Sequence, residues 1–478
     1  MNPVKTSSLR VAIVGGGVAG LSAAFALRRL NPAIQVDLFE ASDHLGGAIR
    51  TESVGGFLVE HGADMFATEP KAAMELCREL AIDDELLTPL PAARGAAIVQ
   101  RGKLVKIPDG FVLMRPTLLW PMMRTPLLSW AGKVRLLAEP WMATRGEIDD
   151  ESIESFVSRR LGRETLDRIV QPLVGGIYTG DVSRLSMAAT MPQFWEMERR
   201  DGSLYRATVR RHREGIDSVE KNSAGARYEN FRSFQTGMSR LIEALAAHLD
   251  PQRTHLSTPV HALTKTEQGW SITTERQRID RPFDHLIMAT PAKAAAKLLA
   301  GVVPEASQAL SEIGFASSAV VVLGIRQSDV QLTLPIAGFI VPIIEGRNIL
   351  AVSFTGDKFA GRTPAGHKLL RVFIGGELQK TLLQRSDDAL VELAKDELRQ
   401  LIGLRGEPVL TRVIRWNEAM PQYHVGHLQR LETIAESVAK HPGLSIIGNS
   451  LHGVGIAPTI AHARKVAQAV ADHFTSMA

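Results

Sequence analysis

The segment VAIVGGGVAG at residues 11–20 is an apolar run that closes on glycines spaced G-x-G-x-x-G, and it decides the fold. An Ala- and Leu-rich stretch follows as far as Leu30, and a second apolar run ends in Glu40, twenty residues beyond Gly20. A strand, a tight glycine turn and a helix in this order bring backbone N–H groups against a pyrophosphate. The acidic residue then accepts hydrogen bonds from ribose hydroxyls. The sequence therefore predicts a Rossmann-like dinucleotide-binding unit.

The size and composition of the chain are typical of a globular protein with several domains. Its 478 residues exceed what one hydrophobic core usually serves, so two or three domains are expected. Hydrophobic residues make up 45% of the chain and charged residues 22%, which excludes a disordered protein. The net charge of +4 is spread along the chain without interleaved aromatic residues. This pattern disfavours nucleic acid and favours an anionic substrate or an anionic membrane surface.

Cysteine usage and hydropathy limit the chemistry and the location of the protein. The single cysteine, Cys77, excludes an internal disulfide, and the helical pattern at 71–80 predicts that its thiol is buried and structural. Cysteine and histidine spacings typical of a metal site are absent from the sequence, so no metal is expected. Residues 1–10 lack the apolar core of a secretory signal, and glycines and a proline interrupt the uncharged stretch at 442–463. A cytoplasmic protein without a membrane-spanning helix is predicted.

Apolar patterns predict a second sheet in the later half of the chain. Its strands are expected at 319–325, 337–341, 349–354 and 369–374. A helix is predicted at 387–401 and a buried strand within 283–291. Near the C-terminus, a glycine-rich loop at 449–458 followed by a long helix would bring a second helix N-terminus towards the cofactor.

Residues 111–145 combine apolar side chains, tryptophans and an excess of cationic residues. The charged side chains of this segment are Arg115, Arg124, Lys133, Arg135, Arg145 and Glu139. Prolines exclude one long helix. The composition is typical of an interfacial membrane anchor, and it also fits a helical cap over a substrate tunnel with its charges facing water.

Longer motifs add a resemblance to a known family. LGGAIR at 45–50 resembles the FAD proteins of the amine-oxidase-like superfamily more than the nicotinamide dehydrogenases. The protoporphyrinogen oxidase family of the haem pathway, which includes bacterial coproporphyrinogen III oxidases, is similar in RRLG at 159–162, LVGGIYTGD at 173–181, GDKFAGR at 356–362, LRVFIGG at 370–376 and MPQY-x-x-GH at 420–427. The resemblance runs nearly from end to end.

The resemblance implies an α/β fold, α+β overall. It contains a Rossmann-like FAD-binding domain of the amine-oxidase-like or p-hydroxybenzoate-hydroxylase type, a mixed-sheet substrate domain and a helical membrane-associated domain. The implied segments are 1–90, 205–300 and 410–478 for the FAD-binding domain, 91–204 for the helical domain and 301–409 for the substrate domain.

The resemblance also implies an activity, the conversion of protoporphyrinogen IX to protoporphyrin IX with FAD as cofactor and O2 as acceptor. This six-electron oxidation releases hydrogen peroxide. The flavin carries the hydride transfer, so no catalytic side chain is expected. A macrocycle with carboxylates needs a mostly aliphatic cavity with one or two arginines. By resemblance Arg94 pairs with a carboxylate, unless it is an exposed loop residue, and Gly175 and Gly176 let the macrocycle approach the backbone, unless they form a simple turn.

The cofactor contacts that these motifs and the resemblance imply lie in seven parts of the chain. They are Gly15, Gly16, Gly17, Val18, Ala19, Gly20, Glu40, Ala41, Gly47, Arg50, Gly62, Ala63, Asp64, Met65, Val260, Trp416, Gly448, Asn449, Gly455, Ile456 and Ala457. Relatives often have Asn or Arg at the position of Asp64. Val260 also fits a plain core residue, and His427 is predicted to be a hydrogen-bonded structural histidine.

Several alternatives stay open. Coproporphyrinogen III has more carboxylates and would need more pocket cations than Arg94, which favours protoporphyrinogen, as does the apolar segment 111–145. A flavin amine oxidase typically holds its amine between two aromatic rings that face the flavin. The C-terminal loop expected to face the flavin in this chain has His452 and Ile456 in place of such a ring. A carotenoid desaturase would not explain residues 420–427. A flavin-free carrier on the same fold is disfavoured by Glu40 together with an arginine after the glycine pair. A homodimer and peripheral attachment to the cytoplasmic face of a membrane are both compatible with the sequence.

Overall fold

The central sheet of the nucleotide-binding part has five parallel strands. In spatial order they are Thr254–His255, Gln35–Phe39, Arg10–Val14, His285–Met288 and Leu444–Ile446. Residues of the strand Arg10–Val14 are all buried, and alternate ones pack into two different cores, one on each face. A strand covered on both faces needs a continuous apolar run, which is the pattern that residues 11–14 show.

Helices cover both faces of this sheet. One face packs against Val18–Leu30, Ala72–Glu79, Ser239–Ala246 and Ile456–Met477. The other face packs against Ala292–Leu299, Pro304–Ser311 and His427–Ala439. Cys77 is fully buried in the first of these cores, and burial raises the pKa of its thiol to about 12, so it is the structural thiol that the sequence predicts. The described residues are 9–91, 95–146, 148–215, 230–275, 279, 281–332 and 334–477 of this computed structural model.

The second sheet is mixed and has seven strands. In spatial order they are Leu410–Gln422, Gly314–Arg326, His367–Gly375, Ala351–Phe354, Gly338–Ile340, Ala97–Gln100 and Lys103–Lys106. The helix Asp387–Ile402 packs on one face, and the four strands expected between residues 319 and 374 are confirmed. Two boundaries of the predicted substrate segment differ, because the hairpin at 97–106 and the strand Leu410–Gln422 belong to this sheet although they lie outside 301–409.

A helical part joins the two sheets. Its elements are Leu119–Arg124, Trp130–Leu137, Glu139–Trp141, Ile153–Leu161, Arg163–Thr165, the π-helical turn Leu166–Val170, Gln171–Tyr178, Met187–Thr190, Pro192–Asp201 and Leu204–Arg213. The last helix packs into the core of this part through Leu204 and Ala207, so the helical region continues past the predicted boundary at 204. In this helix Leu204, Ala207 and Thr208 form a buried face at helical spacing.

Smaller elements complete the fold. They are the hairpin Thr51–Val54 and Phe57–Glu60, the sheet of Phe66–Ala67, Phe231–Phe234 and Leu86–Leu87, the hairpin Val260–Thr266 and Gly269–Thr274, the strands Phe111–Val112 and Arg115–Pro116, the helix Thr355–Lys358, and short 3-10 turns at Asp83–Glu85, Pro251–Arg253, Gln327–Asp329, Ile343–Glu345 and Lys380–Gln384. Within the described ranges, every helix is too short or too polar to cross a membrane.

Candidate active site

The carboxyl edge of the five-stranded sheet brings the nucleotide-binding residues together. The glycine turn follows the strand Arg10–Val14, Glu40 follows Gln35–Phe39, and Gly448 comes shortly after Leu444–Ile446. Parallel strands end at the same edge, and open α/β sheets bind ligands there. Residues that are far apart in sequence therefore meet in one place.

The glycines of the turn fall into two kinds. A Cβ on Gly15 would lie 2.6 Å from the carbonyl oxygen of Ala289, and one on Gly20 would lie 2.0 Å from the carbonyl oxygen of Gly15, so the fold itself needs both glycines. A Cβ on Gly17 would meet no heavy atom within 4 Å among the described residues. The backbone at Gly17, at the start of the helix Val18–Leu30, therefore faces open space that fits a pyrophosphate.

Glu40 lies at one end of this cradle, where the sequence predicts that the adenosine binds. Its Oε2 accepts a hydrogen bond from the backbone N–H of Gly16 (2.6 Å), and its Oε1 accepts from the backbone N–H of Ser42 (2.8 Å). Oε1 also accepts from the Ser42 hydroxyl (2.8 Å). The side chain is partly exposed, and a carboxylate has further lone pairs that could accept from ribose hydroxyls. The backbone N–H of Thr258 donates to the carbonyl of Glu40 (2.9 Å), which brings the strand that begins at Val260 beside Glu40 and Ala41.

The opposite end of the cradle is formed by two loops. The backbone N–H of Gly46 donates to the carbonyl of Gly16 (2.9 Å), and that of His61 donates to the carbonyl of Arg50 (2.9 Å). Trp416 Nε1 donates to the carbonyl of His61 (3.0 Å). These contacts bring together the predicted residues Gly47, Gly62, Ala63, Asp64 and Met65. If Glu40 holds the adenosine as the sequence predicts, the ring of a bound dinucleotide would extend towards these loops, and we refer to them as the ring end of the cradle.

The C-terminal loop closes the site from another side. Gly455 is the last residue of this loop, and the helix Ile456–Met477 begins directly after it. Ile456 and Ala457 therefore lie in the first turn of the helix. The hydroxyl of Tyr423 donates to the carbonyl of Asn449. His427 stacks on Tyr423 with ring centroids 4.1 Å apart, and its Nε2 donates to the carbonyl of Leu451 (3.1 Å). Burial lowers the pKa of His427 to about 4, so it is the neutral structural histidine that the sequence predicts.

The helix Gln171–Tyr178 forms a wall that connects to this loop. Gly176 is exposed, and a Cβ placed on it would lie 3.6 Å from Ile340 Cγ2 of the seven-stranded sheet. Gly175 is buried, and its Cβ would lie 3.3 Å from Gln171 Nε2. Gln422 Nε2 donates to the carbonyl of Tyr178 (2.8 Å), which ties this wall to the residue before Tyr423.

Charged side chains are buried beneath the loop at 61–65. Asp64 is 7% exposed, and its Oδ2 lies 3.1 Å from Lys358 Nζ and 3.6 Å from Arg371 Nη1. Burial alone would raise the pKa of Asp64, but the two cations outweigh it and hold the pKa at about 2. Arg371 also donates through Nη2 to the carbonyl of Gly62. Asp64 is therefore an ionised carboxylate that joins the loop to the seven-stranded sheet.

Three residues of the site were not predicted from the sequence, and one predicted residue is not among the described residues. Thr290, just after the strand His285–Met288, has a buried Oγ1 without a hydrogen-bond partner in the described part of the chain, and it lies beside Gly15. Its position after a buried parallel strand was a usable signal. Lys358 and Arg371 belong to quoted motifs, but no local pattern marks them as buried partners of one carboxylate. Arg94 lies outside the described residues.

Comparisons with known proteins agree with this geometry. The family model described as flavin containing amine oxidoreductase matches residues 18–471. The chain belongs to this family. Coproporphyrinogen III oxidase of Bacillus subtilis strain 168 is 31% identical over 93% of this chain and 94% of its own length. Protoporphyrinogen oxidase 2 of Arabidopsis thaliana is 28% identical over 98% and 95%.

A solved structure gives the same result for the fold. The crystal structure of an Exiguobacterium sp. 255-15 protein, provisionally named a protoporphyrinogen oxidase, superposes with a TM-score of 0.83 at 27% identity, over 98% of this chain and 99% of that one. Membership of the flavin containing amine oxidoreductase family confirms the predicted fold class, the FAD cofactor and an oxidoreductase activity. The open space at Gly17 and the unpartnered Thr290 hydroxyl are features that FAD fits.

Proposed function

We propose that this flavoprotein oxidises a porphyrinogen to the corresponding porphyrin, with O2 as the final acceptor. The observation that carries the proposal is a pair of contacts at neighbouring residues, in which Gln422 Nε2 donates to the carbonyl of Tyr178 and the Tyr423 hydroxyl donates to the carbonyl of Asn449. Together they join the glycine-containing helix Gln171–Tyr178 to the C-terminal loop of the nucleotide cradle. Relatives that cover more than nine-tenths of this chain carry the names of enzymes acting on such substrates.

The residues of the chain would bind, orient and desolvate, while bound FAD supplies the hydride acceptor. Gly17, Glu40 and the loops at 46–50 and 61–65 would hold the cofactor. Gly175 and Gly176 would bring a flexible macrocycle close to backbone, and Arg94 would pair with one of its carboxylates. No side-chain base is needed, because aromatisation of the product drives the loss of each pyrrole proton.

Protoporphyrinogen IX is the first candidate substrate, and the exposed tryptophans of the helical part support it. Trp120, Trp130 and Trp141 are 65%, 72% and 77% exposed. Arg124 lies over the ring of Trp120 (4.6 Å to the centroid). We propose that these side chains hold a cytoplasmic protein peripherally on a membrane, where an apolar substrate partitions. Co-sedimentation with anionic phosphatidylserine vesicles tests this, and replacing the three tryptophans by alanine should abolish it.

Coproporphyrinogen III is the second candidate, and the Bacillus subtilis relative favours it. The deciding experiment mixes the purified protein anaerobically with each porphyrinogen and with a simple amine, and follows flavin absorbance at 450 nm, a wavelength typical of oxidised flavins. We expect a porphyrinogen to bleach the flavin at least a hundredfold faster than the amine, and O2 to restore the colour with release of hydrogen peroxide. Equal rates with the amine would instead support a flavin amine oxidase.

The variant Gly17→Val is the matched control. The backbone of Gly17 has φ −73°, which any residue adopts, and its Cβ would meet no described heavy atom within 4 Å. The variant should fold and bind no flavin, so it should be colourless and inactive. A wild-type protein that is itself colourless after purification and does not take up added FAD would support a flavin-free carrier. Size-exclusion chromatography of the same sample tests whether the protein forms a homodimer, with which its sequence is compatible.

A further inference from the structure

Five buried ionisable side chains form a cluster between the loop at 61–65 and the seven-stranded sheet. They are Glu60, Asp64, Lys358, Arg362 and Arg371, and each is at most 7% exposed. The ion pairs at Asp64 are joined to a second pair, in which Arg362 Nη1 lies 3.9 Å from Glu60 Oε1. Arg362 Nη2 donates to Ser233 Oγ (2.7 Å), and the same hydroxyl donates to the carbonyl of Asp64 (2.8 Å). We refer to these five residues as the ionic cluster.

The ionic cluster carries more positive than negative charge. Within the part of the chain that the structure describes, it has three cations and two carboxylates. Arg371 Nε and Arg362 Nε are buried and have no hydrogen-bond acceptor among the described residues. Buried charges are normally paired, because an unpaired one is costly to desolvate. The excess cation therefore indicates that something negatively charged belongs beside the cluster.

The position of the cluster shows where that negative charge would be. Arg371 donates to the carbonyl of Gly62, and a Cβ on Gly62 would lie 2.0 Å from the carbonyl oxygen of Ala48. The loop at 61–65 therefore packs directly on the loop at 46–50, and Gly46 in turn bonds to the dinucleotide turn. The ionic cluster lies behind the ring end of the cradle, away from the adenosine end at Glu40.

We propose that the ionic cluster raises the reduction potential of the bound flavin, with Lys358 and Arg371 as the residues that tune it. A hydride brings the ring two electrons and one proton, so the ring gains one negative charge as the substrate carbon–hydrogen bond breaks. Fixed positive charges in a water-poor site favour that change. The inference rests on the flavin oxidase function proposed above, but it concerns the cofactor alone and applies to either porphyrinogen.

The test measures the midpoint potential of the flavin in the purified holoprotein, by anaerobic equilibration with reference dyes and without any porphyrinogen. Lys358→Met and Arg371→Met should each lower the equilibrium constant for reduction about tenfold, which is about 30 mV for a two-electron couple. Asp64→Asn should shift it in the opposite direction. Lys358→Arg keeps the charge and should leave the potential unchanged. If Lys358→Met does not retain flavin, Lys358→Gln replaces it.

The matched control is Lys368→Met. Lys368 pairs with Asp357 (2.8 Å) and lies on the same strand as Arg371, about 10 Å further along. The Lys368→Met variant removes one positive charge that lies outside the ionic cluster, so the midpoint potential of the flavin should not change. Lys358→Met and Asp64→Asn break the same contact, so a purely structural role would shift the potential in one direction for both, and that result would overturn the inference.

A second result would also overturn it. If the cluster binds substrate carboxylates instead, Lys358→Met should raise the KM for the porphyrinogen severalfold while the midpoint potential stays at the wild-type value. Failure of the proposed function would look different, because the potentials would shift as expected while neither porphyrinogen reduced the flavin.

Discussion

Two groups of buried charges in this molecule differ in how completely their charges are paired. In the helical part, Arg160 is fully buried, and its Nε donates to Glu139 (2.9 Å), its Nη1 to the carbonyl of Met142 (2.9 Å) and its Nη2 to that of Gly202 (3.0 Å). Each of its nitrogens has an acceptor. In the ionic cluster, by contrast, Arg371 Nε has none within the described ranges.

The contrast separates a structural ion pair from one that a ligand completes. Glu139 also accepts from Ser203 Oγ (2.6 Å) and from the backbone N–H groups of Leu204 (2.9 Å) and Tyr205 (3.0 Å), so it caps the helix Leu204–Arg213. This pair is complete without any ligand, and its role is to hold the helices together. The ionic cluster is complete only when an anionic group lies beside it.

The largest expected effect is on stability, at the fully paired group. Glu139→Gln removes the carboxylate that Arg160 bonds directly, leaves only Glu198 Oε1 at 3.4 Å from its Nη1, and should lower the free energy of unfolding by about 3–5 kcal/mol. Urea unfolding followed by tryptophan fluorescence measures the loss. The double variant Glu139→Met with Arg160→Met removes both charges and should recover part of it, while the flavin midpoint potential stays unchanged. A loss below about 1 kcal/mol would mean that this pair does not hold the helices.

The second effect depends on pH and comes from the ionic cluster. The pKa of Asp64 is about 2 in the folded protein against an ordinary value of 3.8, a difference worth about 2 kcal/mol. Because the folded pKa is lowered, this stabilisation is present at neutral pH and is lost as the pH falls from about 5 towards 2. Urea unfolding at pH 6 and pH 3 should show the loss in the wild type and a smaller one in Asp64→Asn. Equal losses would contradict the ionised state of Asp64.

Glu60 should behave in the opposite way. Burial raises the pKa of its carboxyl, although the backbone N–H of Met238 and the hydroxyl of Thr51 partly oppose this by donating to it. A raised pKa means that this group loses stabilisation as the pH rises above its ordinary value of 4.5. Glu60→Gln keeps an acceptor oxygen and should change the unfolding free energy by about 1 kcal/mol or less at pH 7. Its stability relative to the wild type should increase between pH 5 and pH 8, and a decrease would contradict the raised pKa.

The sequence predicted the nucleotide-binding unit because its signals are local. The glycine spacing, the apolar run at 11–14 and Glu40 all lie within one strand–helix–strand unit, and the close approach of Gly20 to Gly15 and the hydrogen bond from Gly16 to Glu40 both form inside that unit. The strand pairing of 97–106 with the second sheet could not be predicted, because its partner Gly338–Ile340 lies more than two hundred residues away. The ionic cluster was missed for the same reason.

The smallest expected effect comes from an ion pair that joins the same two parts of the molecule at the surface. Arg412 lies on the seven-stranded sheet and bonds Glu52 of the hairpin through Nε (3.0 Å) and Nη2 (2.8 Å), with side chains 38% and 29% exposed. Water already solvates both groups, so Arg412→Gln should cost about 0.5 kcal/mol or less and leave the flavin potential unchanged. A double-mutant cycle with Glu52→Gln measures the coupling. The distances in this exposed pair resemble those in the buried pairs of Asp64. If the coupling between Arg412 and Glu52 were as large as the loss expected for Glu139→Gln, burial would not be what makes the buried ion pairs stronger than the exposed one.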